Sequence, residues 1–492
     1  MDTKTPDIKT PDWVKHAVFY QIYPDRFART QSPHRKENLS PEMQVSFEPW
    51  DSPPTQQGYK GGDLWGVIEQ LDYIQDLGIN AIYFTPIFQS ASNHRYHTHD
   101  YYTIDPLLGG NEAFADLLAK AHARNIKVVL DGVFNHASRG FFYFNDILEN
   151  GPNSPWLDWF KIQGWPLSAY DGAKEANYKG WWNNRALPEF NHDNPQAREY
   201  IMRIGEYWIE QGIDGWRLDV PFEIKTEGFW AEFRQRIKAI NPEAYIVGEV
   251  WTDSREWLQG DQFDGVMNYL FTAPAMAFAA KDNIAMPLVE SVGYFPYPAL
   301  DAAGYAQAIE QLLNLYDWEI QQTQLNLLSS HDVARALSVM GEDRASVKLA
   351  NLLLLTFPGA PSIYYGDEVG LAGGLDPDCR RSFPQKADWD TDLLQMHKEL
   401  IALRHAQPAL RTGAYKTLAA EGECYVFSRI LGKDMIVVAI NSGEQAVQLR
   451  LADMAEENGE VLYGEGTVEW LGERTAMLEI PARAGMVLGS AR

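Results

Sequence analysis

Three acidic residues, each placed directly after a short apolar run, are the side chains best suited to chemistry. Asp219, Glu249 and Asp332 follow the runs Gly-Trp-Arg-Leu, Tyr-Ile-Val-Gly and Leu-Asn-Leu-Leu-Ser-Ser-His. A single acid at a strand end would be better interpreted as a cap or a salt-bridge partner, because burying its charge costs free energy. Three acids in matching contexts favour an active site, because barrel enzymes build theirs where strand ends converge. Such a trio suits acid/base and nucleophilic chemistry on a glycosidic bond.

The elements that must position these acids alternate along the chain from about residue 17 to residue 405. Short β-branched or aromatic runs predict strands, and the amphipathic segments between them predict helices. The predicted strands are Val18–Tyr23, Ala81–Phe84, Val128–Gly132, Gly215–Leu218, Tyr245–Gly248, Gly265–Asn268, Leu325–Ser329 and Ser362–Tyr365. The predicted helices include Asp63–Leu77, Asn111–Arg124, Pro195–Gln211, with Asn194 as its N-cap, and Gly228–Ile240. Eight strand–helix alternations predict an α/β fold with a closed (β/α)8 TIM barrel.

Two segments depart from this alternation and predict further domains. Residues 135–193, between the third strand and the third helix, are rich in Trp, Tyr, Asn, Gly and Pro and lack a helical period. A connection this long predicts an insertion subdomain that overhangs the barrel mouth. From residue 408 to residue 492, short alternating runs separated by turn residues predict a C-terminal antiparallel β-sandwich. The barrel would then comprise residues 1–134 and 194–407.

The composition argues against several classes of partner. The chain has 492 residues, with 67 acidic and 42 basic side chains and a formal net charge of −25. Such an acidic surface repels phosphate backbones and anionic lipid, so we expect no nucleic-acid and no membrane partner. Cys379 and Cys424 cannot form a disulfide framework, and two buried thiols in a reducing compartment are favoured over one bridge.

The ends and apolar stretches of the sequence predict a cytoplasmic enzyme. Met1 to Asp7 contain no apolar stretch of the kind found in a signal peptide, although a segment removed earlier would not be visible. The longest apolar stretch, Leu352–Phe357, is too short to span a bilayer.

Four segments together resemble the signature segments of the α-amylase superfamily of glycoside hydrolases, in the same order and at the same barrel strands. They are Asp131–His136, Gly215–Asp219, Gly248–Trp251 and Ser329–Asp332. Further segments are similar to the branch of neopullulanases, cyclomaltodextrinases and maltogenic amylases, namely Phe19–Phe27, Gly61–Gly66, Leu77–Phe88, Ser92–Tyr96 and Asp376–Arg381. The resemblance covers most of the chain.

The sequence also departs from that branch. An extra N-terminal β domain usually contributes to dimers there, and only about a dozen residues precede the barrel here, so we expect a monomer. Leu187–Asn191 differs from the usual Met-Pro-Lys-Leu-Asn. The loop Ala28–Pro33 lacks the Asn and Asp residues that bind calcium in relatives, so calcium is not expected in that loop. For Asn135, a calcium ligand in many relatives, a calcium role and a structural hydrogen bond stay open. The chemistry requires no cofactor.

The resemblance implies a role for each acid. Asp219 would be the nucleophile, Glu249 the general acid/base and Asp332 a stabiliser of the transition state. Asp219 would attack the anomeric carbon while Glu249 protonates the leaving oxygen; Glu249 would then activate water, so that the α configuration is retained. Retention predicts carboxyl groups roughly 5–5.5 Å apart. Glu249 needs a raised pKa, which burial and acidic neighbours would supply.

The resemblance also implies the residues that bind substrate. His136 and His331 would donate hydrogen bonds to the sugar, and Tyr96 would stack under it with His94 beside it. Arg217 lies two residues before Asp219, so on a strand the two side chains point the same way, and the arginine would keep Asp219 ionised. Trp251, Phe222 and Glu223 follow catalytic residues and would shape the leaving-group subsites, whereas Asp131 would be structural. For Trp165, Trp181 and Trp182, stacking on substrate and packing within the insertion stay open.

These roles predict a retaining hydrolase of α-1,4 bonds in maltooligosaccharides or cyclodextrins, with α-1,6 bonds as a further target. The alternative within the same chemistry is a transglycosylase, in which a sugar reaches the covalent intermediate before water does. A non-catalytic binding module, as in amino-acid transporter heavy chains, is the remote alternative, because such relatives lose catalytic carboxylates. Substrate size and bond selectivity depend on how far the loops close the cleft.

Overall fold

Eight parallel strands close into a barrel in the order β1-β10-β9-β8-β7-β6-β5-β2, with β2 paired to β1. The computed structural model describes residues 8–31, 46–290, 297–452, 454, 459–472 and 474–489. The barrel strands are β1 Phe19–Ile22, β2 Ala81–Phe84, β5 Lys127–Gly132, β6 Gly215–Leu218, β7 Tyr245–Gly248, β8 Gly265–Asn268, β9 Leu325–Leu327 and β10 Ala360–Tyr364, while β3 Phe88–Ser90 and β4 Thr98–Ile104 form a separate hairpin. The predicted (β/α)8 barrel is confirmed. Strands buried on both faces explain the nearly continuous apolar runs in the sequence.

Helices connect the strands and cover the barrel. The α-helices are Asp12–Lys15, Pro24–Phe27, Leu64–Glu69, Leu71–Asp76, Gly110–His122, Phe142–Asn150, Pro195–Glu210, Phe229–Ile240, Tyr269–Ala280, Pro287–Glu290, Ala302–Leu313, Trp318–Gln321, Ala336–Val339, Arg344–Thr356, Thr391–Ala406 and Pro408–Thr412. Short 3₁₀ turns lie at Pro106–Leu108, Gly151–Asn153, Leu157–Trp159, Trp181–Asn183, Pro221–Glu223, Lys281–Asn283, Asp367–Val369, Asp378–Arg380 and Lys386–Asp388. None of the helices in the described part of the chain has the length and apolar character needed to cross a bilayer.

Helix ends show where the sequence signals succeeded and where they failed. Asn194 is the predicted N-cap, and its Oδ1 accepts hydrogen bonds from the backbone N–H groups of Gln196 and Ala197. The single helix predicted over Asp63–Leu77 is wrong, because the backbone leaves the helical region at Gln70 and divides it in two.

Backbone hydrogen bonds join the beginning of the insertion to its end. Phe190 N–H donates to Asn135 O at 3.1 Å, and Ala137 N–H donates to Pro188 O at 3.0 Å. Within the unusual Leu187–Asn191 segment, Glu189 is buried, and Lys161 and Lys179 each place Nζ 3.0 Å from its Oε2. A buried acid is therefore compensated by two lysines of the same subdomain.

The insertion contains a helix although its sequence lacks a helical period. Residues Phe142–Asn150 form a helix whose buried positions are Phe144 and Ile147. The segment is so rich in aromatic residues on all sides that the helical period is obscured. The buried face packs on Phe160, whose ring lies 5.0 Å from that of Phe144.

Two antiparallel sheets pack face to face in the C-terminal domain and confirm the predicted β domain. One sheet has the order β11-β12-β13-β18-β15 and the other β14-β17-β16. Their strands are β11 Ala414–Glu421, β12 Cys424–Leu431, β13 Asp434–Asn441, β14 Val447–Leu451, β15 Glu460–Gly464, β16 Thr467–Gly472, β17 Thr475–Ile480 and β18 Ala484–Gly489. β11 is largely solvent-accessible and β18 contains glycines, so neither shows a clear alternation of apolar and polar residues.

Two buried arginines join this domain to the barrel. Arg429 on β12 donates from Nη1 to the carbonyl oxygens of Thr356 and Leu410, both at 2.7 Å. Arg404, on the helix Thr391–Ala406, donates from Nη1 to Leu410 O of the C-terminal domain and to Phe357 O of the barrel, both at 3.1 Å. The arginines therefore satisfy backbone acceptors at the end of the helix that precedes β10.

Candidate active site

The three acids predicted from the sequence lie at the carboxyl ends of barrel strands. Asp219 follows β6 and Glu249 follows β7, and these strands pair in parallel with Leu218 opposite Gly248. The two acids are therefore neighbours at one end of the barrel. Asp332 lies in the connection that follows β9, two strands further around.

Arg217 brings these acids together. Its guanidinium is fully buried, and Nη1 lies 3.1 Å from Asp219 Oδ1 and 3.0 and 2.9 Å from the two carboxyl oxygens of Asp131. Nη2 lies 3.1 Å from Glu249 Oε2 and 3.9 Å from Asp332 Oδ2. One guanidinium therefore faces four carboxyl groups, which places the acids in a single ion-pair network.

Glu249 is fixed by two further donors. Trp251 donates from Nε1 to Oε1 at 2.9 Å, and the backbone N–H of Val220 donates to Oε2 at 3.0 Å. Val220 has a φ of 35° and a ψ of 51°, which is strained for a β-branched residue. This strained residue directly follows Asp219, and its backbone N–H points at Glu249.

Tyr96 and His331 stack side by side next to the acids. Their rings are parallel within 6°, with centroids 5.5 Å apart, and Tyr96 Oη lies 2.5 Å from His331 Nε2. Tyr96 also donates from Oη to Asp131 Oδ2 at 3.0 Å, and His331 Nε2 lies 3.2 Å from Asp332 Oδ2. Both residues, predicted as substrate contacts, therefore belong to the same network as the acids.

His94 lies beside Tyr96, as the sequence predicted. The ring centroids are 5.7 Å apart, and His94 Nδ1 accepts a hydrogen bond from the backbone N–H of Tyr96 at 3.2 Å. Burial, together with the positive charges of Arg380 and Arg95, keeps the pKa of His94 well below its ordinary value. The ring is therefore neutral, with its proton on Nε2.

His136 begins an aromatic stack that runs into the insertion. Trp181 stacks on its ring at 5.3 Å, and Trp182 stacks on Trp181 at 4.8 Å. Trp182 is 79% exposed and has a φ of 49°, so a large apolar ring is presented to solvent on strained backbone. His136 Nε2 and Trp181 Nε1 are buried without a hydrogen-bond partner in the described part of the chain. These groups can serve a polar ligand.

Three further predicted residues surround the acids at different distances. Trp251 donates to Glu249, and its ring stacks on Tyr269 with centroids 4.4 Å apart. Phe222 and Glu223 lie in the turn that follows Asp219 and are half-buried. The structure thus gives a direct contact with Glu249 for Trp251, and only proximity in the chain for Phe222 and Glu223.

The acids lie so close together that each one affects the pKa of the others. Burial, and then the charge of Glu249, raises the pKa of Asp219 well above its ordinary value, and burial raises the pKa of Glu249 and Asp332. Burial also raises the pKa of Asp131 to about 6, although Arg217 opposes the shift. Because each negative charge raises the pKa of the next acid, the cluster retains a proton when an isolated carboxyl group would have lost it.

Asn135 and the Ala28–Pro33 loop are the two places where the sequence raised the question of calcium. No group of three or more His, Cys, Asp or Glu side chains arranged to hold a metal occurs among the described residues. Asn135 Nδ2 lies 3.4 Å from His136 Nδ1, and Asn135 Oδ1 is buried without a partner there. In the loop expected to lack calcium, Arg29 donates from Nε to Lys60 O; Ser32 and Pro33 lie outside the described residues.

Comparison with known families decides the assignment. Residues 21–392 match the α-amylase catalytic domain, and residues 413–488 match the α-amylase C-terminal domain. The chain belongs to the α-amylase family. The resemblance found in the signature segments is confirmed, and the chain is a glycoside hydrolase of that family.

Several α-amylase family members are similar over most of this chain. A cyclomaltodextrinase from a Bacillus species is 42% identical over 89% of this chain and 75% of its own length, and neopullulanase 2 from Thermoactinomyces vulgaris is 39% identical over 98% and 79%. The crystal structure of a debranching enzyme from Nostoc punctiforme is 64% identical, with a TM-score of 0.92, and covers 98% of this chain and 100% of that one. The predicted branch is confirmed, and hydrolysis is favoured over the transglycosylase and the non-catalytic module.

Sequence reasoning missed three residues of this α-amylase site. Gln21 on β1 places Nε2 2.8 Å from His331 Nδ1, and Tyr83 donates to Asp131 Oδ2 at 3.0 Å. Arg380 donates to His331 O at 2.8 Å, and its Nη2 lies 3.5 Å from Asp332 Oδ1. All three fall within segments quoted for the resemblance. For Gln21, a polar residue inside an otherwise apolar strand was the available signal.

Proposed function

We propose that the enzyme is a retaining hydrolase of α-glucosidic bonds, acting on α-1,4 and α-1,6 bonds of maltooligosaccharides and cyclodextrins. The observation that carries the proposal is the bridging of Asp219 and Glu249 by the two terminal nitrogens of Arg217, each 3.1 Å from a carboxyl oxygen. A nucleophile and an acid held side by side at adjacent strand ends suit a double displacement, which needs a carboxyl separation of roughly 5–5.5 Å.

In the first displacement Asp219 attacks the anomeric carbon while Glu249 protonates the leaving oxygen. The raised pKa of Glu249, caused first by burial, supplies the proton near neutral pH. The step requires the proton of the cluster on Glu249 and an ionised Asp219. Burial and the charge of Glu249 raise the pKa of Asp219, and Arg217, 3.1 Å away, opposes that shift and so favours the ionised nucleophile once Glu249 is neutral. Trp251 and Val220 hold both oxygens of Glu249, so the acid keeps one orientation as the bond breaks.

In the second displacement Glu249 takes a proton from water while the water oxygen attacks the same carbon. The bond from that carbon to Asp219 breaks, and the sugar is released with its configuration retained. Asp332, half-exposed and next to His331, faces the position where ring hydroxyls would lie. Its hydrogen bonds to the sugar tighten as the ring flattens in the transition state. Tyr96 supplies the flat apolar surface beneath that ring.

The names of the relatives support the bond types in this proposal. The name of the cyclomaltodextrinase supports cyclic maltodextrins as substrates of this enzyme. The names of the neopullulanase and the debranching enzyme support α-1,6 bonds as further targets. The stack of His136, Trp181 and Trp182 would extend the site toward a longer chain, because pyranose rings pack well on aromatic faces.

Product analysis over time on maltotriose, γ-cyclodextrin, pullulan and starch tests the proposal, with Asp219→Asn as the control. We expect fast cleavage of γ-cyclodextrin and pullulan, slow cleavage of starch, and α-anomers as first products by proton NMR. A preference for starch would indicate an open general α-amylase cleft. Products longer than the substrate would indicate transfer, while β-anomers or an active Asp219→Asn enzyme would contradict the mechanism.

We also propose a cytoplasmic location and a monomeric state. Both cysteines are free and buried, as expected in a reducing compartment. Cell fractionation and light scattering test the two statements separately.

A further inference from the structure

The hydrogen bonds around His331 form a chain that ends on a carboxylate. Gln21, fully buried on β1, places Nε2 2.8 Å from His331 Nδ1. On the other side of the ring, His331 Nε2 lies 2.5 Å from Tyr96 Oη, which lies 3.0 Å from Asp131 Oδ2. Each member of this chain touches the next within hydrogen-bonding distance.

The direction of the chain follows from its last member. An ionised carboxylate can only accept hydrogen bonds, so Asp131 takes the single proton of the Tyr96 hydroxyl. The hydroxyl oxygen then accepts a hydrogen bond from His331 Nε2–H. A neutral ring with its proton on Nε2 has a lone pair on Nδ1, and the amide N–H of Gln21 lies where it can donate to that lone pair.

We propose that Gln21 is a positioning residue that fixes His331 as the tautomer protonated on Nε2. This tautomer aims its N–H between Tyr96 Oη and Asp332 Oδ2, which lies 3.2 Å from Nε2. The same N–H is the donor that a sugar hydroxyl meets in the proposed function, on which the catalytic part of this inference rests. The opposite tautomer would place a lone pair against the Asp332 carboxylate and repel it.

Charged and titratable groups face His331 from every element around it. They are Asp332 in the same connection, Arg217 on β6, Arg380 and Cys379 in the turn at Asp378–Arg380, Tyr96 and His94 between β3 and β4, and, through Tyr96, Asp131 on β5. Burial, followed by the charges of Arg380 and Arg217, keeps the pKa of His331 well below its ordinary value. The ring is therefore neutral at working pH, so its tautomer rather than its charge is what Gln21 sets.

Nitrogen-15 NMR of the full enzyme, labelled on histidine, tests the tautomer directly. The signal of His331 is assigned by its loss in His331→Gln. We expect Nε2 to be protonated and Nδ1 to be unprotonated at pH 7. A protonated Nδ1 would overturn the proposal. Because this measurement needs no turnover, its failure can be distinguished from failure of the proposed function.

Two variants of Gln21 test the consequence for catalysis. In Gln21→Glu a carboxylate faces His331 Nδ1, and because a carboxylate only accepts hydrogen bonds it favours a protonated Nδ1. At low pH the imidazolium still offers its Nε2–H, but as the pH rises the remaining proton stays on Nδ1. We therefore expect kcat/KM on maltotriose to gain a new alkaline limb, with a loss of about tenfold or more above it. Gln21→Met removes the donor without adding charge, so its loss is expected to be the same at every pH.

Gln324→Glu is the matched control, because Gln324 is an equally buried barrel glutamine whose Oε1 accepts from Val266 N–H instead of contacting His331. We expect no new limb in this control. Thermal melting establishes that each variant is folded before its pH profile is compared. Profiles of Gln21→Glu and wild type that superimpose after scaling would overturn the positioning role.

Discussion

The backbone N–H of Val220 donates to Glu249 Oε2 over 3.0 Å, from a residue held in the left-handed region of backbone space. Asp219 directly precedes this strained residue. The turn therefore orients the proposed nucleophile through its side chain and the proposed acid through the next peptide group. Strain of this kind costs about 1–3 kcal/mol and persists only where the surroundings enforce it.

Val220→Gly tests this arrangement. Glycine adopts the observed φ without strain, which offsets part of the packing lost with the valine side chain. We expect little change in melting temperature but a decrease in kcat of about fivefold, since the N–H is held less firmly against Glu249. Val247→Gly, a buried strand position on β7, is the control and should lower stability by about 2 kcal/mol or more. An unchanged kcat in Val220→Gly would show that the turn does not position the acid.

Glu249→Gln should lower kcat by roughly 10²–10⁴-fold and raise stability at pH 7. The folded-state pKa of Glu249 is raised, so ionisation destabilises the folded state as pH increases from the unfolded value of about 4.3 toward the folded value. The gain should be present at pH 7 and should vanish near pH 4. Urea denaturation at both pH values measures it.

Glu199→Gln is the control of opposite sign. Hydrogen bonds from Arg236 lower the pKa of Glu199, so its ionised form stabilises the fold above the unfolded pKa. The amide should therefore reduce stability at pH 7, by less than about 1 kcal/mol because the pair is largely exposed. A stability gain for Glu249→Gln that persists at pH 4 would contradict the electrostatic explanation.

Trp182→Gly tests the exposed end of the aromatic stack. If the ring binds glucan, its removal should raise KM for long substrates about fivefold and leave kcat unchanged, while the strained backbone relaxes. Tyr170→Ala is the control, because Tyr170 is 69% exposed in the same insertion and packs on Arg139. Equal effects of both substitutions on KM would argue against a specific role for Trp182.

Arg404→Met should destabilise the enzyme by more than about 3 kcal/mol, because buried carbonyl groups between the barrel and the C-terminal domain would lose their donors. Arg344→Met is the control, since that side chain is largely exposed and pairs with Asp390 at the surface. Urea denaturation of both variants measures the difference. A loss similar to that of the control would show that Arg404 does not hold the domains together.

The sequence predicted the parts of the site that strands dictate. Asp219 and Glu249 could be placed because apolar runs marked β6 and β7, and parallel strands bring their ends to one face. The contact of Arg217 with Asp219 followed from the two-residue repeat of a strand. The predicted bounds of the eight barrel strands were right to within one or two residues, because the apolar runs that marked the strands begin and end with them.

The missing parts depend on contacts between distant segments. Gln21 and His331 meet although 310 positions separate them, and no local pattern records that meeting. The contacts of Arg404 and Arg429 with backbone carbonyl groups could not be predicted, because every residue has a carbonyl group and no residue type marks the ones that an arginine will contact. The strained geometry of Val220 and Trp182 was missed because neither residue type favours the left-handed region.

The reliance on Arg217 has a consequence for how such enzymes can diversify. Arg217, on a barrel strand, contacts both the proposed nucleophile and the proposed acid, whereas the stack that would contact longer substrates lies on the insertion. Changes to the loops, in evolution or by engineering, could therefore alter whether cyclic, branched or linear glucans are accepted without altering the anomeric configuration of the product.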